Sequence, residues 1–175
     1  MGDVLGKVFA AFLGCILMFI VPIMLIAQKQ DTIRQSYIDN AVVEFVDNAK
    51  VAGKITPQAY EKLCYDIDTA HLLCEIKITH SSAYTVPTEV VDPATGYHEV
   101  ATYRVDYTKE EILSVMYPSS GPDQDYRMKN GDYISVEVKN ISPTLGTRLS
   151  RVFQTKSSDI TLFTSYGGYV GNNRQ

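Results

Sequence analysis

Residues 19–38 read FIVPIMLIAQKQDTIRQSYI. An apolar stretch ends at Ala27 and polar residues begin at Gln28, yet after Pro22 there is no Gly or Pro until Gly53. Nothing stops a helix where the apolar character stops. Read backwards from Ala27, VFAAFLGCILMFIVPIMLIA (Val8 to Ala27) carries no charge. Its length suits the roughly 20 residues a helix needs to cross a hydrocarbon core. A secretory signal peptide has a shorter apolar core, about 7–15 residues, and a small-x-small cleavage site after it. Leu25 and Ala27 before Gln28 match that site poorly, so the stretch reads as an uncleaved span. Pro22 deletes one backbone donor and is expected to bend or loosen the helix locally. Gly6, Ala10 and Gly14 stand four apart. They are either a stripe along which another helix backbone approaches closely or the ordinary abundance of small residues in spans.

Read forwards, apolar side chains recur at Ile33, Tyr37, Ala41, Phe45, Ala49 and Ala52, widened by Val42 and Val46, which is one face of a helix. Asp31, Arg34, Gln35, Asp39, Asn40, Asp47 and Lys50 are expected on the other face. Gly53 supplies a C-terminal stop with Ile55 placed for the accompanying apolar contact. Thr56 and Pro57 open a new helix as N-cap and first helical residue. One helix is thus expected from about Val4 to Ala52, on the order of 70 Å at 1.5 Å per residue. Three parts follow: residues 1–27 as N-terminal end and membrane segment, 28–53 as the amphipathic continuation, and 54–175 as an α+β globular domain.

The flanking charges, Asp3 and Lys7 before the span and Lys29, Asp31 and Arg34 after it, assign no orientation. A short segment before the span and a long one after it favour a translocated C-terminal domain at the outer side of a cytoplasmic membrane. The net charge of −4, without a basic stripe, argues against nucleic acid as a partner. Of three cysteines, Cys15 lies in the span and reads as a packing residue. Cys64 and Cys74 are a candidate disulfide if their part of the chain lies outside the cytoplasm, or else two small buried residues.

The remaining chain alternates between turn signals and short periodic segments. Residues 56–70 read as a helix with Tyr60, Leu63, Cys64 and Ile67 on one side. LLCEIKITH (72–80) sets Leu72, Cys74, Ile76 and Ile78 against Leu73, Glu75, Lys77 and Thr79, a strand pattern. DPATG (92–96) is a turn, so 72–86 and 97–107 form a hairpin, with Tyr97, Ala101, Tyr103, Val105 and Tyr107 on one face. Thr108 and Glu111 have capping-box spacing before a short helix, 108–116. A polar loop, 117–131, leads to a strand at 132–142 with Ile134, Val136 and Val138 inward. Residues 144–153 are ambiguous, and 160–170 form a last strand. The sum is α+β: a long N-terminal helix packed on an antiparallel sheet of about four strands.

Chemistry is not evident. His71, His80 and His98 have no metal-site spacing, there is no CxxC, and no nucleophile or phosphate-loop motif occurs. His71 beside Asp66 and Asp68 reads as a solvated helix end. The Asn140–Ile141–Ser142 sequon has meaning only in a glycosylating secretory pathway, and NGD (130–132) reads as a turn. No enzyme and no cofactor are expected.

GKVFAAFLGCILMFIVPIMLIAQKQDTIRQSYI, VVEFVDNAKVAGKITPQAYEKL, NGDYISVEV and TSYGGYV together resemble the type IV pilin plan, and within it TadE-like minor pilins (pseudopilins) of tight-adherence, Flp-type pili. The resemblance covers most of the chain in outline. It implies a structural subunit that waits in the cytoplasmic membrane, then joins homo- or hetero-oligomeric filaments at the cell surface through its apolar helix. A platform protein and an assembly ATPase would act on it. Prepilins of this plan carry a leader cut at a Gly, with a Glu a few residues into the mature helix. Here Gly2 and Gly6 are the candidate cut points, and no Glu precedes Glu44. A degenerate leader and insertion without cleavage both stay open. The alternative function is a single-pass anchored accessory or binding protein of a secretion or conjugation apparatus.

Overall fold

The computed structural model describes residues 2–91, 98–144 and 162–171. The DPATG turn, Tyr97 and nearly all of the ambiguous 144–153 segment lie outside the described residues. Helix α1 runs from Gly2 to Ala52, 51 residues without interruption, continuing through Pro22. At 1.5 Å per residue this is roughly 75 Å. It ends at Gly53, whose φ of 65° is the left-handed conformation that glycine adopts without steric cost.

Strand β1 (Lys54–Ile55) leads to α2 (Pro57–Thr69), where Thr56 Oγ1 accepts from the Ala59 amide at 3.1 Å. Strands β2 (Cys74–Val91) and β3 (His98–Thr108) form the long hairpin. Helix α3 (Lys109–Met116) begins with the expected capping box: the Thr108 amide donates to Glu111 Oε2 at 2.7 Å. Strands β4 (Tyr126–Arg127), β5 (Tyr133–Asn140) and β6 (Phe163–Tyr169) complete the set. The main sheet is antiparallel in the order β3-β2-β5-β6, and β1 pairs with β4 in a separate two-stranded ladder. That small ladder was not anticipated, because two-residue strands carry no periodic signal.

The second half of α1 lies across β5 and β6. Val42, Val46, Ile134 and Val136 are fully buried there, with Phe45, Ile38 and Ile78 beside them. Ala41, Val42, Phe45, Val46 and Ala49 of the expected stripe are buried, and it differs only at its ends. Ile33, Tyr37 and Ala52 are exposed, while Ile38 is buried. Of the residues expected to face solvent, Gln35, Asp39 and Asp47 turn towards β6 instead. Gln35 Nε2 donates to Thr164 Oγ1 at 2.6 Å and to Asp39 Oδ1 at 2.7 Å, and Thr164 donates to Asp39. Tyr166 donates to Asp47 Oδ1 at 3.1 Å, and Lys50 lies over the Tyr166 ring. Thr144 likewise donates to Asp31 Oδ2 at 2.6 Å. A strand edge offers hydroxyls from Thr and Tyr, so carboxylates and amides at the margin of the helical stripe find partners that the helix alone does not show.

These contacts set directions. Strand β6 runs the same way as α1, with Thr164 against Gln35 and Tyr166 against Asp47. The end of the sheet holding Leu73, Ile141 and Phe163 therefore faces the apolar half of α1. At the other end, β2 and β3 pair beyond Ser81 with each other alone, as an arm past the reach of β5.

Close packing at β6 requires glycine. A Cβ on Gly167 would lie 2.8 Å from the Ile134 carbonyl oxygen and 2.9 Å from Ser135 Cβ. Gly167→Ala should lower the stability of the folded chain by about 1–3 kcal/mol through overpacking, read as a lower thermal midpoint. Gly171→Ala, where a Cβ meets nothing within 4 Å, should leave the midpoint in place.

Candidate assembly surface and the polar networks behind it

The apolar half of α1 is solvent-exposed on every side. Its most apolar stretch has a mean hydropathy of 2.8 and none of it is buried. Leu5, Phe9, Phe12, Met18, Phe19 and Leu25 all project outward. Such a surface is stable only in lipid or against other apolar helices. By length and composition this is one helix able to cross a membrane. Gly6 and Gly14 are open, and a Cβ built on either meets nothing within 4 Å. Their smallness is not required by any contact among the described residues. Ala10 shares their exposure, and Pro22 is exposed within the same helix.

The most developed polar cluster lies elsewhere, at the base of the hairpin arm. His80 and Asp132 are each 3% exposed. His80 Nε2 lies 2.9 Å from Asp132 Oδ2, and Nδ1 lies 2.7 Å from the Tyr126 hydroxyl. With Asp132 ionised, Nε2 carries a proton and donates it, while Nδ1 shares a hydrogen bond with the Tyr126 hydroxyl. Asp132 also accepts from Ser82 Oγ at 2.8 Å and from the Lys129 amide at 2.6 Å. Tyr107 stacks on the His80 ring with centroids 5.4 Å apart. Burial pushes the Asp132 carboxyl up, but the Lys129 amide, the Ser82 hydroxyl and His80 together hold it below the ordinary value. Burial, with Tyr107 and Asp132 nearby, pushes the Tyr126 phenol up to about 12.

Ser, His and Asp meet here, yet the arrangement differs from a nucleophilic triad. The carboxylate sits between hydroxyl and imidazole, so His80 is not placed to take the Ser82 proton. The cluster ties β2 to the β4–β5 turn. The sequence reading passed over both principal residues. The available signal was parity: His80 is the next inward position after Cys74, Ile76 and Ile78. Asp132 lies in the expected NGD turn, with Gly131 at φ 88°, but its side chain is buried.

Cys64 and Cys74, the candidate disulfide, are unbonded in this structure, as is Cys15. Cys64 is on α2 and Cys74 opens β2, and both line an open cleft of about 350 Å³ with Leu72 and Ile76. Burial pushes the Cys74 thiol up, which disfavours the reactive thiolate. Asn140 of the sequon is buried. Its side chain donates to the Ser142 carbonyl at 2.7 Å and accepts from the Ser142 amide at 3.0 Å, so it is turned away from modification. Among the described residues, no group of three or more His, Cys, Asp or Glu side chains converges to hold a metal ion. His71 is exposed at the end of α2, with a φ of 52°.

Set against family models, curated proteins and solved structures, the chain matches none.

Proposed function

We propose that the protein is a structural, pilin-like subunit, of the minor pilin or pseudopilin kind, of a type IV or Tad-like pilus or a related secretion filament. The observation that carries the reading is the continuity of α1. Its first half is apolar and uncovered, and its second half is bonded and packed to its own sheet with no joint between them. A tether needs a span but not this rigidity. A stem that must leave lipid and pack on other stems needs both an apolar surface and a rigid link to its domain. In this reading the domain lies outside the cytoplasmic membrane. The partners are other pilin-like subunits, with a platform protein and an assembly ATPase acting on the stem. The surface formed by Gly6, Ala10 and Gly14 sets the closest stem-to-stem approach. The role is mechanical rather than enzymatic, and involves neither cofactor nor nucleic acid.

The test is to shear cells and weigh the protein released. Recovery in the sheared filament fraction is the expected result, and its intact mass reports cleavage after Gly2, after Gly6 or nowhere. Full-length chain retained in the membrane and absent from that fraction would instead identify an anchored accessory protein, with α1 as a stalk.

A further inference from the structure

The exposed apolar side chains of the domain include a cluster with a definite location. Leu73 precedes β2, Ile141 follows β5 and Phe163 opens β6, with exposures of 66%, 55% and 55%. The Ile141 amide donates to the Leu73 carbonyl at 2.8 Å, which places the two side by side. Phe163 pairs with Lys139, two residues before Ile141 on β5. Strand parity puts all three on the face opposite the core, since Cys74, Ile76 and Val138 face inward. The hydrophobic core therefore has no use for them.

The patch is at the end of the sheet nearest the apolar half of α1. Gln35 Nε2 reaches the Phe163 carbonyl at 3.4 Å. Gln35 is eight residues beyond Ala27, about 12 Å along the axis at 1.5 Å per residue. A helix whose apolar segment fills the hydrocarbon core thus brings this patch to the headgroup layer, where aromatic and aliphatic side chains are favoured. The patch lies at the end of the domain nearest the apolar half of α1, and this nearness to the span selects a lipid surface over a soluble partner. Lys139 and Glu75 pair across the strands beside the patch, so the local charge is mixed. That points to apolar insertion rather than to attraction by anionic lipid.

We propose that Leu73, Ile141 and Phe163 form a membrane-surface seat, on which the domain rests at the headgroup layer while the stem is in the bilayer. The inference rests on α1 crossing a membrane and adds a second lipid contact, made by the domain itself. Extraction into a polymer would then have to lift the seat as well as the stem.

The chain has no tryptophan, so single reporters are clean. Full-length Phe163→Trp, Leu73→Trp, Ile26→Trp and Tyr169→Trp are reconstituted in vesicles of zwitterionic lipid carrying a nitroxide on the headgroup. Ile26 marks the end of the span, and Tyr169, at the far end of β6, marks the distal side. The expected result is strong fluorescence loss for Trp at 163, 73 and 26, none at 169, and no change on adding salt or anionic lipid. Quenching at 26 without quenching at 163 and 73 overturns the seat and leaves the span standing. Blue-shifted but unquenched emission at 163 also overturns it, and shows instead that protein, such as a second copy, covers the patch. Absence of quenching at 26 overturns seat and span together.

Discussion

Asp132→Ala is expected to lower the stability of the full chain in detergent by several kcal/mol, at about 1–3 kcal/mol for each buried donor left unsatisfied. The substitution leaves His80 Nε2, Ser82 Oγ and the Lys129 amide without their acceptor at a site that is 3% exposed. Each orphaned donor keeps its desolvation penalty and loses its bond. The pH dependence has a definite sign. The folded state holds the Asp132 carboxyl below its ordinary value, so folding favours the ionised form. That stabilisation is complete above the unfolded carboxylate value, about 3.9, and is lost as pH falls through the lowered folded value. The wild-type midpoint should therefore fall on the acid side, and Asp132→Asn should show a flatter acid limb. Equal acid slopes in the two proteins would remove Asp132 from the account.

Gly14→Leu is expected to abolish recovery of the protein in sheared filaments while leaving its insertion in the membrane intact. A Cβ at Gly14 meets nothing within 4 Å among the described residues, so folding of α1 tolerates a side chain there, and Leu adds to the apolar character that insertion needs. Any penalty must arise between chains. Overpacking a close contact costs about 1–3 kcal/mol, about fivefold to a hundredfold per association step at 1.4 kcal/mol per decade. Because every added subunit repeats the contact, the losses multiply. Gly14→Ala should retain most filaments. Wild-type filament yield from Gly14→Leu would exclude the Gly6–Ala10–Gly14 surface as the stem contact.

Much of the architecture was legible in the sequence because it depends on local periodicity and end signals. The unbroken helix followed from the absence of Gly and Pro between Pro22 and Gly53. The capped starts of α2 and α3 followed from Thr56–Pro57 and from Thr108 with Glu111. The inward set Ile134, Val136 and Val138 followed from strict alternation. The surface proposed for assembly was equally visible, because a stretch without charge is a property of composition. The placement of Gln35, Asp39 and Asp47 was not legible. Polar residues at the margin of a helical stripe face solvent by default, and only the arrival of Thr164 and Tyr166 from the far end of the chain reverses that.

By itself, the sequence determined that α1 is continuous, where it stops, which half of it is apolar, and that the rest forms an antiparallel α+β domain. These are consequences of backbone geometry and side-chain polarity over short windows. The tertiary structure alone decided that His80, Asp132, Ser82 and Tyr126 meet, and that Leu73, Ile141 and Phe163 gather at the stem end of the sheet. Those residues lie tens of positions apart, and strand order and register bring them together. No window short enough to carry a periodic signal contains that information.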